Sequence, residues 1–282
     1  MMRWRIVFLV GAVLCTAFSG CNTSPTESLG DFRETLYVEG FLRAGNAVDS
    51  VFVGTTMPLY EVYSREAAGL PDAVVTLEVD GASFALQPLT GKPGYYHRSD
   101  LIVESGKTYR LTVTTDLATA TAETTVPYPP ALGASLSVLQ VGGDPYRITW
   151  SGETETGYVT TQKPVVLEES IPLETLFGGF GFGGGFFGGG FDTTGLGATR
   201  DSLARAEQWR YVQNTSATIN ARQFSYYGMY AFLVYAIDEN YADFLVSSQQ
   251  DPQVLDEPRF HISGGIGLFA SMAADSVVFR VD

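Results

Sequence analysis

The chain reads as an all-β protein built from two antiparallel β-sandwich domains, with short helices in the second and a Gly/Phe-rich insert. Three observations predict this. Apolar residues recur at every second position in one segment after another, Gly- and Asp-bearing turns separate those segments, and a proline cluster near the middle divides an earlier set of strands from a later one.

Residues 1–20 stand outside that pattern. Arg3 and Arg5 precede an apolar run from Ile6 to Phe18, and Ser19-Gly20-Cys21 closes it. A run of roughly a dozen residues is too short to span a hydrocarbon core of about 30 Å as a helix, and its small terminal residues suit a signal peptidase. The segment is therefore expected to be a cleaved lipoprotein signal peptide, although Phe18 stands where such signals more often carry Leu. The mature chain would begin at Cys21, the expected lipid anchor, bound to a membrane through more than one acyl chain, because a single chain holds only weakly. Cys15 would leave with the signal and Cys21 would be alkylated, so no disulfide is expected. Residues 21–34, polar and without periodicity, read as a tether.

Residues 35–127 form the expected N-terminal sandwich. Leu36–Phe41 and Ser50–Thr55 have the texture of strands. Ala73, Val75, Leu77 and Val79 alternate with Val74, Thr76 and Glu78, Asp80-Gly81 is the dipeptide of a two-residue hairpin turn, and Ser83–Leu89 is the expected return. Tyr109, Leu111 and Val113 alternate with Thr108, Arg110, Thr112 and Thr114, which gives a strand one wet face, and Ala118–Val126 continues the rhythm. About six strands in about ninety residues is the spacing of an Ig-like or fibronectin-like sandwich.

Val126-Pro127-Tyr128-Pro129-Pro130 interrupts the strands, because proline cannot donate to a ladder, and the domain boundary is placed there. Residues 131–282 then form a C-terminal β-rich domain. In it Tyr146, Ile148 and Trp150 alternate with polar residues, and Tyr158–Gln162 is expected to pair with that strand. Residues 177–191 contain only nine glycines and six phenylalanines, Phe177, Phe180, Phe182, Phe186, Phe187 and Phe191. Glycine at this density opposes regular structure, so the insert is expected to be a loop, with the rings as candidate partner contacts. A tolerated loop expansion is the plainer alternative. Asp201–Arg210 suggests a short helix with Leu203, Ala206 and Trp209 near one face. Met229–Ile237, apolar on both faces, suggests a central strand, followed by a helix capped by Asn240 and carrying Tyr241, Phe244 and Leu245. Phe260–Ile262, Ile266–Ala270 and Ser276–Val281 read as closing strands.

Composition limits the chemistry. Loss of Arg3 and Arg5 with the signal leaves 15 basic against 31 acidic residues, so the formal charge moves from −14 to −16, which disfavours nucleic acid and anionic lipid. His97 and His261 belong to no nucleophile signature and no spaced metal-ligand motif, so neither acyl transfer nor a cofactor is expected. Asp238, Glu239 and Asp243 are weak candidates for a cation site, but they lack the alternating oxygen ligands of an EF-hand, and capping explains them more simply. A glycosidase needs only two carboxylates, and no spacing selects a pair.

Leu36-Tyr37-Val38-Glu39-Gly40, Pro71-Asp72-Ala73-Val74-Val75, Gly94-Tyr95-Tyr96, Gly106-Lys107-Thr108-Tyr109, Tyr226-Tyr227-Gly228, Ile237-Asp238-Glu239-Asn240-Tyr241 and Gly264-Gly265-Ile266-Gly267-Leu268-Phe269 occur in an order that, with Cys21, resembles the Bacteroidota-type lipoproteins grouped as domain of unknown function 4249. The resemblance covers nearly all of the expected mature chain; the Gly/Phe run departs from it. It implies a lipid-anchored envelope protein of the outer membrane, periplasmic or surface-facing, whose relatives often accompany TonB-dependent transporters. It supplies no catalytic residue. The expected function is thus a non-enzymatic accessory or ligand-binding subunit beside such a transporter, with a carboxylate-dependent glycan hydrolase and a structural or adhesive surface module as alternatives.

Overall fold

A computed structural model describes residues 32–133, 136–152, 156–172, 209–248 and 258–282. Thr35–Asp282 forms the larger of two units of the chain. In the larger unit the strands of the first half are β1 (Leu36–Arg43), β2 (Ala47–Thr55), β3 (Val74–Val79), β4 (Ala82–Ala85), β5 (Gln87–Pro88), β6 (Tyr95–Ile102), β7 (Thr108–Thr114) and β8 (Thr119–Thr125). Those of the second are β9 (Ala131–Leu132), β10 (Val138–Leu139), β11 (Tyr146–Ser151), β12 (Tyr158–Ser170), β13 (Arg210–Val212), β14 (Ser216–Ile219), β15 (Tyr226–Ile237), β16 (Ile262–Ser263) and β17 (Ile266–Val281).

The alternation seen in the sequence sets the first core. Val75, Leu77 and Val79 on β3 and Tyr109, Leu111 and Val113 on β7 are buried, while the residues between them face outward. Asp80 (φ 52°) and Gly81 (φ 76°) both take the left-handed conformation that a type I′ hairpin requires, and β3 pairs with β4 across them. The return is shorter than Ser83–Leu89: after Ala85 the chain turns Leu86 into the core and crosses to the facing sheet, where Gln87–Pro88 pairs with β6.

Three sheets result. One has five strands in the order β16-β8-β7-β3-β4, one has three in the order β14-β11-β9, and a large one runs β13-β12-β15-β17-β1-β2-β6-β5, with β10 also on β17. Val38, Val51, Tyr96 and Phe269 of the large sheet pack against Leu77, Leu111 and Ala122 of the five-stranded sheet to make the first core. Tyr230, Phe232 and Phe279 of the same large sheet pack against Ile148, Trp150 and Ile219 to make the second. The fold is thus all-β and sandwich-like, largely antiparallel.

The prolines after Val126 separate the two cores but not the ladder. β17 is sixteen residues long; its first part pairs with β1 and its second with β15, so it contributes Phe269 to one core and Phe279 to the other. The expected strands Ile266–Ala270 and Ser276–Val281 are this single strand, and the third closing strand contracts to Ile262–Ser263. β17 runs parallel to β1 and β10, against an antiparallel expectation. A tight turn forces antiparallel pairing only between near neighbours, and more than two hundred residues separate β1 from β17. Gly267 (φ 126°) lies where an added Cβ would stand 1.9 Å from the Val38 carbonyl oxygen, so only glycine lets the strands meet there.

Two further expectations need correction. Tyr158–Gln162 pairs with β15 and β13, not with Tyr146–Trp150, whose strand pairs with β14 and β9. The two segments face each other across the second core, where the Trp150 and Tyr158 rings meet edge to face at 5.5 Å. The helix Glu239–Ser248 is capped by Asp238, whose Oδ1 accepts the Tyr241 amide at 3.0 Å, and not by Asn240, which is buried one residue inside the helix. Residues 177–191 and 201–208 lie outside the described residues; Trp209 precedes β13, and Arg210 begins it.

Candidate functional site

The second sandwich has an open edge. β13 covers only Tyr158–Thr160 of β12, and the chain then crosses through Gln213–Thr215 to β14 in the small sheet. Between the β12–β13 edge and β14 lies a cleft of about 620 Å³. Strand alternation turns Thr160, Gln162, Arg210 and Val212 toward the face that carries Tyr230 and Phe232, while Arg147, Ser216 and Thr218 come from the small sheet and Gln223 and Phe224 close one end.

The lining is polar and cationic in an acidic protein. Among the described residues it includes Arg147 and Arg210 and no carboxylate, although the chain holds 31. Arg147 Nη2 donates to Ser216 Oγ at 3.0 Å, which steadies one guanidinium at the rim. Tyr230 donates its hydroxyl to the Tyr226 carbonyl at 2.8 Å, and burial pushes its pKa up to about 12, so it stays a neutral donor at physiological pH. Thr161 Oγ1, on a residue that also lines the cleft, is buried and lacks a hydrogen-bond partner among the described residues. Guanidinium groups for an anion, hydroxyl and amide groups for a hydroxylated solute and aromatic faces for a ring form a binding inventory.

A second polar constellation lies where the cores meet. The Asp238 carboxylate accepts from the Thr124 hydroxyl and from the Tyr241 amide, and Ser271 Oγ lies 2.6 Å from Thr124 Oγ1. Asn240 Nδ2 donates to the Glu123 and Phe269 carbonyls at 2.7 and 2.8 Å. Burial pushes the Asp238 carboxyl up to about 6, against hydrogen bonds from Thr124 and the backbone that lower it. Of the three weak cation candidates, Asp238 is this buried cap, Glu239 opens the helix, and Asp243 pairs with His261 at 3.0 Å and faces Arg259 at 3.8 Å. No group of three metal-ligating side chains occurs among the described residues.

A third constellation covers the outer face of the first sandwich. Arg65 Nη2 donates to both Glu39 carboxylate oxygens at 2.9 and 3.0 Å, Tyr37 donates to Glu39 at 2.7 Å, and the guanidinium lies 5.0 Å over the Phe52 ring. Burial, then the Glu39 hydrogen bond, raises the Tyr37 pKa far above that of a free phenol. This network fixes the helix Arg65–Ala68 to the sheet.

Cys21 and the six phenylalanines of the insert lie outside the described residues. His97 sits on β6 opposite Gln87, far along the chain from the His261–Asp243 pair. The sequence offers Arg147 only as an outward strand residue and Arg210 only as the end of the expected helix Asp201–Arg210. Their signal was scarcity: only 17 cations serve the whole chain, and these two flank aromatic strand positions.

No curated protein matches the chain. Among solved structures it is similar to a crystal structure of domains from titin, at 14% identity and a TM-score of 0.21, over 88% of this chain and 66% of that one. A family model described as a domain of unknown function, DUF4249, matches residues 23–276. That match takes in every described strand up to most of β17, and the chain belongs to the DUF4249 family.

Proposed function

We propose that the protein is a non-enzymatic, lipid-anchored component of the cell envelope that binds a solute in the cleft of its second sandwich, as an accessory subunit of an outer-membrane TonB-dependent transporter. The observation that carries the ligand-binding part is the charge of the cleft. Two arginines line it without a carboxylate among the described lining, while the rest of the chain is strongly acidic. Such a site concentrates an anion locally and repels it elsewhere, and the hydroxyl, amide and aromatic groups beside the arginines suit an acidic saccharide.

Support for the anchored part is the Arg3, Arg5, Ile6–Phe18, Cys21 pattern, together with the absence, among the described residues, of any helix long and apolar enough to cross a membrane. Calorimetry with acidic and neutral oligosaccharides tests the ligand. Binding of the acidic series, lost in Arg147→Ala with Arg210→Ala, supports the reading; equal or no binding across both series refutes it. Cys21→Ser followed by membrane fractionation tests the anchor, and crosslinking in native membranes tests the transporter. A processed Cys21→Ser protein that stays on washed membranes is anchored elsewhere.

A further inference from the structure

The loop between β2 and the helix Arg65–Ala68 presents its apolar side chains to solvent. Leu59 and Val62 are 91% exposed, Tyr60 83% and Tyr63 57%, and Glu61 is the one charge between Met57 and Tyr63. Single exposed apolar residues are ordinary on protein surfaces, but four in five successive positions form a contact patch.

The loop is held at both feet. At its start, Thr56 N donates to the Thr35 carbonyl and Thr35 N to Thr56 Oγ1, each at 3.0 Å. At its end, Arg65 is clamped by Glu39. The side chains therefore project from a fixed base at the end of the first sandwich where the chain enters it. Strand pairing brings two more exposed apolar residues to that same end: Val74 opens β3, and Leu117 sits in the turn between β7 and β8.

Cys21 and Thr35 are fourteen Cα steps apart, and even fully extended these reach no more than about 50 Å. An anchor at Cys21 thus keeps this end of the sandwich within about 50 Å of the lipid. A processed chain of net charge −16 gains nothing from anionic headgroups, which leaves apolar contact as the available attraction, and tyrosine rings favour the boundary between headgroup and acyl chain. We infer that the Leu59–Tyr63 loop is a membrane-contact element that sets the protein against the surface of the bilayer at its anchored end. The inference rests on the lipid-anchored reading above.

The test uses the full chain, purified as processed by the cell and placed in phosphatidylcholine vesicles brominated on the upper acyl carbons. Tyr60→Trp supplies a probe, and the parent corrects for Trp150 and Trp209. The added emission should be quenched by the bromolipid, and Leu59→Ser with Val62→Ser should abolish that quenching without moving the thermal midpoint. Ile102→Trp, at the opposite end of the same strands, should not be quenched. The mass of the N-terminal peptide reports acylation separately. An acylated protein whose Tyr60→Trp probe stays unquenched by bromolipid and open to acrylamide overturns the loop inference while leaving the anchor intact. A probe shielded only when native membrane proteins are added assigns the loop to a protein partner and also overturns it. A peptide without acyl chains defeats the anchor reading, and an unquenched probe in that preparation defeats the loop as well.

Discussion

The two cores use different side chains for the same task. The first is mainly aliphatic, with Val38, Val51, Val53, Val75, Leu77, Leu111 and Val113 interlocking from two sheets. The second relies on Trp150, Tyr158, Phe224, Tyr230, Phe232 and Phe279, with the Phe224 ring edge-on to both Tyr230 and Phe279. Branched aliphatics on regular strands fill the gap between two sheets evenly. Large rings fill it in fewer, coarser pieces and bring polar tips that need partners, and it is beside these rings that the molecule has its large cleft. A regular core lies at the end where the chain enters the first sandwich, and an irregular one lies beside the cleft proposed for ligand binding.

The largest test of that contrast is the strand both cores share. Gly267→Ala combines a left-handed backbone with a clash on the Val38 carbonyl and should cost at least about 4 kcal/mol in urea unfolding. Loss in a single transition would mean that the cores unfold together; two resolved transitions would show that β17 only tethers independent sandwiches. Next, Phe279→Ala should cost about 3–5 kcal/mol and Leu77→Ala about 2–5, since both are fully buried. If the aromatic core relaxes around the missing ring, Phe279→Ala will fall below Leu77→Ala, and the coarser packing will prove to be the more forgiving.

The junction between the cores should respond to pH. The folded-state pKa of Asp238 is raised, so between about 4 and 6 the native protein holds a proton that the unfolded chain has released. Its contribution is therefore fully present below about pH 4 and is lost as pH rises through 6, a change of about 3 kcal/mol for a shift of this size. Asp238→Asn, which keeps an acceptor for Tyr241 and a donor toward Thr124, should remove that part of the pH dependence. A wild-type slope unchanged in the variant assigns it to other groups.

Smaller effects belong to the surface. Arg65→Ala should cost about 1 kcal/mol or less, because the Glu39 pair is partly exposed and solvent screens it. Arg147→Ala with Arg210→Ala should change stability by less than about 0.5 kcal/mol while abolishing acidic-saccharide binding, since both line an open cleft. Stability lost in proportion to binding would make the pair structural.

Much of the first half was legible because its signals are local. The Asp80-Gly81 turn and the alternation on β3 and β7 need only neighbouring residues to be recognised, and the structure keeps them. The pairing of Tyr158–Gln162 was misread because alternation states which face is buried and is silent about whether the neighbour lies beside the strand or across the core. Asn240 was taken for a cap because its residue type suits one, but Asp238, two positions earlier, holds the amide. The cleft had no signature at all, since Arg147 and Arg210 are 63 positions apart and meet only when β11 and β13 lie in facing sheets.

Strand texture, inward faces and the hairpin turn were thus written into neighbouring residues, all consequences of a side-chain period of two and of the few residues that tolerate a positive φ. Long-range packing set the rest: one sheet runs through both halves, Ile266–Val281 serves two cores, and Thr124, Asp238 and Ser271 meet at their seam. Those contacts join residues more than a hundred positions apart, and their selection depends on which faces remain unpaired once the local strands have formed.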